Sequence, residues 1–219
     1  MKKTVLLLAV SCREGGLCPG GLDLENPSKW IRIVKDDGHG GPVQGHEIDF
    51  AKPLDIIEFE GRPMPQGKQQ ENWVIDNNSC KNKGKARFDN GNGTDKEILD
   101  WAFQNYSYHG FWDNYRAFLN EQKFEAVNAP SESLIKVSNV RIYKNDNKRA
   151  KIDFDWSGAM YRIKGISMTD QDFYDRIRDG DVTFDNAYIV ISIPKYCDWT
   201  HPETGEKRAY KFVSRIYEI

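Results

Sequence analysis

Two groups of side chains have types and spacings suited to holding a planar, anionic ligand. In the first, Trp30 and Arg32 alternate within Trp30-Ile-Arg-Ile-Val34. A strand there sets an indole plane and a guanidinium fork about 7 Å apart on one face, a spacing that stacks a base and holds a phosphate. Ser11 and Arg13 end the apolar run before it, and Glu71 and Asn72 close the polar tetrad Gln69-Gln-Glu-Asn72 ahead of a later run. Ser11, Arg13, Trp30, Arg32 and Glu71 are expected to converge on one surface pocket, with Asn72 beside them. The competing reading makes Trp30 a core residue and Arg32 the ion-pair partner of Glu71. In the second group, Tyr196, Trp199 and Arg208 share segment 194–208 with Lys195, Asp198, His201, Glu203 and Glu206. So polar a neighbourhood gives a large aromatic little reason to be buried, and rings interleaved with cations are what single-stranded nucleic acid requires.

Other chemistry finds little support. No P-loop, GxSxG, HExxH or dinucleotide fingerprint occurs, and the pairs Gly15-Gly16 and Gly20-Gly21 lack phosphate-loop spacing. A small enzyme with a site around Ser11, Arg13, Cys18 and Glu71 is an alternative resting only on the presence of those residues. Cys12-x5-Cys18 with His39 and His46 supplies four potential zinc ligands but lacks the tight C-x2-C knuckle. Four dispersed cysteines in 219 residues are not a disulfide framework. No catalytic residue, metal or cofactor is expected.

The chain carries 31 Lys and Arg against 33 Asp and Glu, and the balance holds regionally: 9 against 11 in 1–75, 7 against 9 in 76–132, and 15 against 13 in 133–219. A broad phosphate-binding face, and with it tight sequence-blind binding of long duplex DNA, is therefore not indicated. At 39% hydrophobic and 12% aromatic residues, the composition is that of a folded chain. Lys2 and Lys3, the run Val5 to Val10 and then Ser11-Cys12 imitate a lipoprotein leader. The run is at the lower limit of an export signal, and Ala9 stands where a larger aliphatic is preferred. Thr4–Val10 is expected instead to be a strand buried on both faces, in a cytoplasmic protein that begins at Met1 and has no membrane partner.

Further strands are expected at Trp30–Val34, Leu54–Phe59 and Asn72–Ile75, enough for a small barrel over 1–76. Segment 77–132 is expected to be a linker and helical insert. Asn77 to Gly93 is polar and carries the basic run Lys81, Lys83, Lys85 and Arg87, which fits a solvated linker better than a phosphate contact. Thr94-x-x-Glu97 forms a capping box, and a second helical stripe holds Phe111, Tyr115, Phe118 and Leu119. Over 133–219 the pattern is clearer. Leu134–Tyr143 alternates with one slip near Ser138-Asn139, the mark of a bulge. Lys151–Trp156 and Met160–Ile166 form a hairpin across Ser157-Gly158. Thr169 and Asp172 are expected to cap a short helix, and Ala187–Ile193 and Ala209–Ile219 follow as strands. Three strands, a helix and two strands is the order of an OB barrel, although an α+β sandwich gives the same string. In an OB barrel the ligand surface includes strands two and three, here bearing Phe154, Trp156, Tyr161 and Arg162, and the loops flanking them. The expected class is mainly β with inserted helices, as two OB-like barrels.

The run Ser11-Cys-Arg-Glu-Gly-Gly-Leu-Cys-Pro-Gly-Gly-Leu-Asp23, with Trp30-Ile-Arg-Ile-Val34, Pro53-Leu-Asp-Ile-Ile57, Gln70-Glu-Asn-Trp73 and Tyr210-Lys-Phe-Val213, resembles the dual OB-containing domain of prokaryotes over nearly the whole chain. The resemblance implies two OB modules and a role in nucleic-acid or nucleotide recognition within defence systems. Where members carry a basic or apolar residue after the Trp-x-Arg strand, this chain has the Gly-rich stretch Val34-Lys-Asp-Asp-Gly-His-Gly-Gly41. The function expected is therefore non-enzymatic recognition of RNA, single-stranded DNA or a nucleotide, with a scaffold for a protein partner as the alternative.

Overall fold

Val5, Leu6, Leu7 and Leu8 are all fully buried. Four consecutive apolar residues in an extended chain point to both faces of the sheet, so both faces of this first strand are covered. The computed structural model describes residues 1–13, 15–88, 91, 93–112, 115–156, 162–177 and 180–219; the side chains of Arg13, Gln171, Tyr174 and Asp175 also lie outside the description. The chain divides into two compact units, Met1–Tyr108 and His109–Ile219.

The first unit contains β1 (Lys2–Arg13), β2 (Gly16–Asp23), β3 (Trp30–Val34), a single 3₁₀ turn (Gly45–Ile48), β4 (Asp55–Pro63), β5 (Asn72–Ile75), β6 (Lys81–Lys85) and α1 (Asp95–Asn105). Strand β1 pairs antiparallel with both β2 and β4, β2 with β3, and β4 with β5, while β3 runs parallel to β5. The circuit β1-β2-β3-β5-β4 therefore returns to β1, in the strand order of an OB barrel, with the 3₁₀ turn between the third and fourth strands. Val5, Leu7, Ile31, Ile33, Val43, Ile48, Ile57 and Phe59 fill its core. Strand β2 was not expected from the sequence, because Gly-Leu-Cys-Pro-Gly-Gly-Leu-Asp lacks β-branched residues. Its glycines serve the barrel instead: a Cβ on Gly21 would stand 1.9 Å from the Leu6 carbonyl oxygen, where β2 pairs with β1 beside a shift in register. Helix α1 begins with the expected capping box, the Glu97 N–H donating to Thr94 Oγ1 at 3.3 Å and the Thr94 N–H to Glu97 Oε2 at 3.1 Å.

The second unit contains β7 (Phe118–Asn120), α2 (Glu121–Glu125), β8 (Glu132–Lys144), β9 (Ala150–Trp156), β10 (Ile163–Met168), α3 (Gln171–Arg176), β11 (Val182–Ser192), β12 (Trp199–Thr200), β13 (Lys207–Tyr210) and β14 (Phe212–Glu218). Strands β10-β14-β11-β8-β9 close into a barrel, with β10 parallel to β14 and α3 between the third and fourth strands. The OB order expected over 133–219 is the order found. The expected slip is present too: the β8–β9 register shifts between Ser138 and Arg141, and Asn139 has φ of 49°. Residues 157–161, which contain the expected Gly turn, Met160 and Tyr161, lie outside the described residues.

Three local expectations are corrected. The segment read as a linker and insert, 77–132, is divided between the units: β6 pairs with β4, α1 belongs to the first unit, and β7 and α2 to the second. The stripe Phe111, Tyr115, Phe118 and Leu119 is not a second helix, because Phe118 and Leu119 lie in β7, paired with Tyr210 and Ala209 of β13. Helix α3 is capped by Asp170, not Thr169: Asp170 Oδ1 accepts the Asp172 N–H at 3.1 Å, while Thr169 Oγ1 donates to the Val213 carbonyl at 3.3 Å. Asp170 also accepts from Arg215 Nη1 at 3.2 Å and from the Ile216 N–H at 2.8 Å. Burial pushes its carboxyl above the usual range, opposed mainly by the Arg215 charge.

Candidate functional site

The alternation read from Trp30 and Arg32 holds: both are on the face of β3 opposite Ile31 and Ile33, which point into the core. That face is not open, however, since Trp30 is 3% and Arg32 9% exposed. Trp30 meets the Tyr106 ring at 5.6 Å between centroids and has no free plane on which a base can stack. The parallel β3–β5 register sets Arg32 beside Asn72, and the Arg32 N–H donates to the Glu71 carbonyl at 3.0 Å. Arg32, Glu71 and Asn72 are thus brought together. Ser11 is not placed with them by the pairing: it stands opposite Cys18, whereas Arg32 stands opposite Gly20, two residues further along β2 and across it from β1. The Arg13 side chain is outside the described residues.

Asn72 is fully buried, and among the described residues neither atom of its amide has a hydrogen-bond partner; nor does the Trp30 indole N–H. An unmade buried hydrogen bond costs the desolvation of the group without return. Asn72→Leu, close to isosteric, should therefore raise the unfolding free energy by about 1–2 kcal/mol in urea titration. A fall of similar size would show that the amide is satisfied in solution.

The second unit presents its aromatics differently. Segment 194–208 carries two short strands: β12 and β13, in the connection between the fourth and fifth barrel strands, pair with each other, and β13 pairs with β7, which precedes the first barrel strand, making a three-stranded antiparallel sheet. Register places Trp199 opposite Arg208, Arg208 opposite Asn120, and Tyr210 opposite Phe118. Directly opposed residues share a face, so Trp199, Arg208, Tyr210 and Phe118 stand together, while Leu119 and Ala209 on the other face are buried. Trp199 is 43% exposed and meets Tyr210 edge-on at 5.0 Å and His201 at 5.6 Å. The Arg208 guanidinium lies 4.2 Å from the Phe118 ring centroid, and its Nε donates to Glu206 Oε2 at 2.8 Å. Tyr196 is 48% exposed with Lys195 Nζ 5.3 Å from its ring centroid. Lys207 pairs with Glu121 at 2.9 Å and ties the sheet to α2. An exposed indole beside a ring-stacked guanidinium can stack a base and leave a cation within reach of its phosphate. Phe118 and Tyr210 were not expected here; the sign in the sequence was the alternation of Arg208 with Tyr210.

Strands β9 and β10 offer less. Phe154 is core at 0% exposure, Trp156 meets Phe111 at 5.9 Å and Tyr115 at 6.2 Å, and Arg162 pairs with Asp155 at 3.1 Å. Among the described residues, no cluster of three or more His, Cys, Asp and Glu could hold a metal ion, and no helix is long and apolar enough to cross a membrane. A family model described as a dual OB-containing domain matches residues 3–216. Searches of curated proteins and of solved structures give no match.

Proposed function

The chain belongs to the dual OB-containing domain family, and from that premise we propose that it binds short single-stranded nucleic acid on the sheet β12–β13–β7 of its second module. The observation that carries this reading is the exposed Trp199 ring set beside Arg208 and Tyr210 in the connection between the fourth and fifth barrel strands, with Phe118 of β7 paired alongside. That connection is one of the two loops through which OB barrels take oligonucleotides. Stacking does most of the binding. The acidic Asp198, Glu203 and Glu206 share the segment with Lys195, Lys207 and Arg208, so phosphate attraction is small. With one or two phosphates neutralised, the logarithm of affinity should fall with that of salt at a slope of about −1, far shallower than for a phosphate-clamping protein. A role inside a prokaryotic defence assembly is consistent with this ligand class.

Fluorescence anisotropy with labelled eight-nucleotide RNA and DNA single strands, against the same sequence as duplex, tests the reading. Binding of the single strands in preference to the duplex is expected. Binding restricted to duplex would contradict it.

A further inference from the structure

The first module carries an exposed aromatic in an unfavourable backbone conformation. After the 3₁₀ turn, Asp49 and Phe50 both have φ of 50°, in the left-handed region. Asp tolerates that region, but a bulky aromatic rarely does, and the cost is seldom borne without a use for it. Here the outcome is a Phe50 ring 72% exposed to solvent. The conformation is held from several sides: the Phe50 N–H donates to the Gly45 carbonyl at 2.8 Å, and Asp49 Oδ2 accepts the Asn82 N–H of β6 at 2.9 Å. A Cβ on Gly45 would stand 3.4 Å from Phe50 Cδ1, so the ring lies close over that glycine.

Asn82 is flanked by Lys81 and Lys83, and β6 is the end strand of its sheet, paired among the described residues with β4 alone. Lys81, Lys83 and Lys85 are all exposed. Lys83 shares Glu58 with Lys2, at 3.0 Å and 3.2 Å, and Lys85 pairs with Asp95 at 2.6 Å. Surface pairs of this kind are worth little and exchange readily for a phosphate. The basic run that the sequence offered as linker is therefore a lysine-bearing edge, tied by one hydrogen bond to a turn that holds an aromatic ring in water.

We infer that Phe50 and the lysines of β6 form a second contact for single-stranded nucleic acid, the ring stacking a base and the lysines following the backbone. This rests on the ligand class proposed for the second module but on different residues. Lysines also protect edge strands from unwanted pairing, a function that gives no part to the Phe50 ring.

The test is photo-crosslinking of the full chain to a 4-thiouridine-containing single strand, followed by peptide mapping. Crosslinks on peptides holding Phe50 or β6, as well as on 194–210, are expected. Crosslinks on 194–210 alone would overturn this inference and leave the second-module reading intact. Crosslinks on the first module alone would do the reverse, and none at all would remove both. Phe50→Gly is the companion variant, since glycine accepts the positive φ. Its melting temperature should rise while its affinity falls about fivefold or more, the loss of one stacked base. A rise in melting temperature with unchanged affinity would show an exposed ring that contacts no ligand.

Discussion

Trp199→Ala should lower affinity for a short single strand roughly five- to a hundredfold, because stacking on one aromatic is worth about 1–3 kcal/mol per base. The melting temperature should hardly change. Trp199 is 43% exposed, and its contacts with Tyr210 and His201 are edge contacts on a two-residue strand, so its removal opens no enclosed cavity. Were the ring a lid over apolar surface, the variant would lose about 3–5 kcal/mol of stability, and binding would fall only with folding. Thermal melts beside the titration separate the two outcomes. Tyr196→Ala should act in the same direction and more weakly, since that ring is 48% exposed and stands outside the paired sheet. Unchanged affinity in both variants would favour the alternative, a surface for a protein partner.

The second large effect concerns Lys211, which is fully buried between β13 and β14. Its Nζ donates to the Phe111 carbonyl at 3.0 Å and sits 3.8 Å from the Phe111 ring centroid, while its backbone N–H donates to Ala117. Burial, with a smaller contribution from the Lys123 charge, pulls the amine down from 10.5 to about 6. At pH 7 it is therefore mostly neutral in the folded protein and charged in the unfolded chain. Between pH 6 and 10.5 the unfolded state binds the extra proton, so this group makes stability rise with pH, by about 1.4 kcal/mol per unit where the difference is a full proton. Lys211→Met keeps the volume and removes the titration. It should be a few kcal/mol more stable than the parent at pH 7, less the cost of leaving the Phe111 carbonyl unpaired. The advantage should shrink steadily as pH rises toward 9. Parallel stability profiles from pH 6 to 9 would show that the amine is not held neutral.

Much of the fold was legible. The unbroken apolar run of β1 reads as a strand covered on both faces, and the second barrel announces its order through alternation, a slipped register at Asn139 and a short helix. Strands β2 and β6 were not legible, for opposite reasons. In β2, glycines that look like a turn permit the close approach of the strand to the Leu6 backbone; in β6, lysine, asparagine and glycine look like solvent-facing linker because the strand lies at an edge. The aromatic-rich stretch before α2 repeats at helical spacing, yet Phe118 and Leu119 are held by β13, a partner far along the chain that no local pattern reveals. The same limit applies to the candidate site. Polar context marked Tyr196, Trp199 and Arg208 as exposed candidates, but Phe118 joins them only through tertiary pairing. For Trp30 and Arg32 the period of two shows a shared face without showing that the face is buried. Nor does composition reveal that Asn72 is enclosed with no partner for its amide among the described residues.

Sheet β12–β13–β7 is the surface proposed to receive a single strand. Amide chemical-shift mapping on the ¹⁵N-labelled chain, titrated with an unlabelled eight-nucleotide single strand, addresses it directly. Shifts concentrated at Phe118–Asn120 and 195–210, with the Trp199 indole N–H among those that move furthest, are the predicted result. Shifts that leave those residues in place while others move would contradict it.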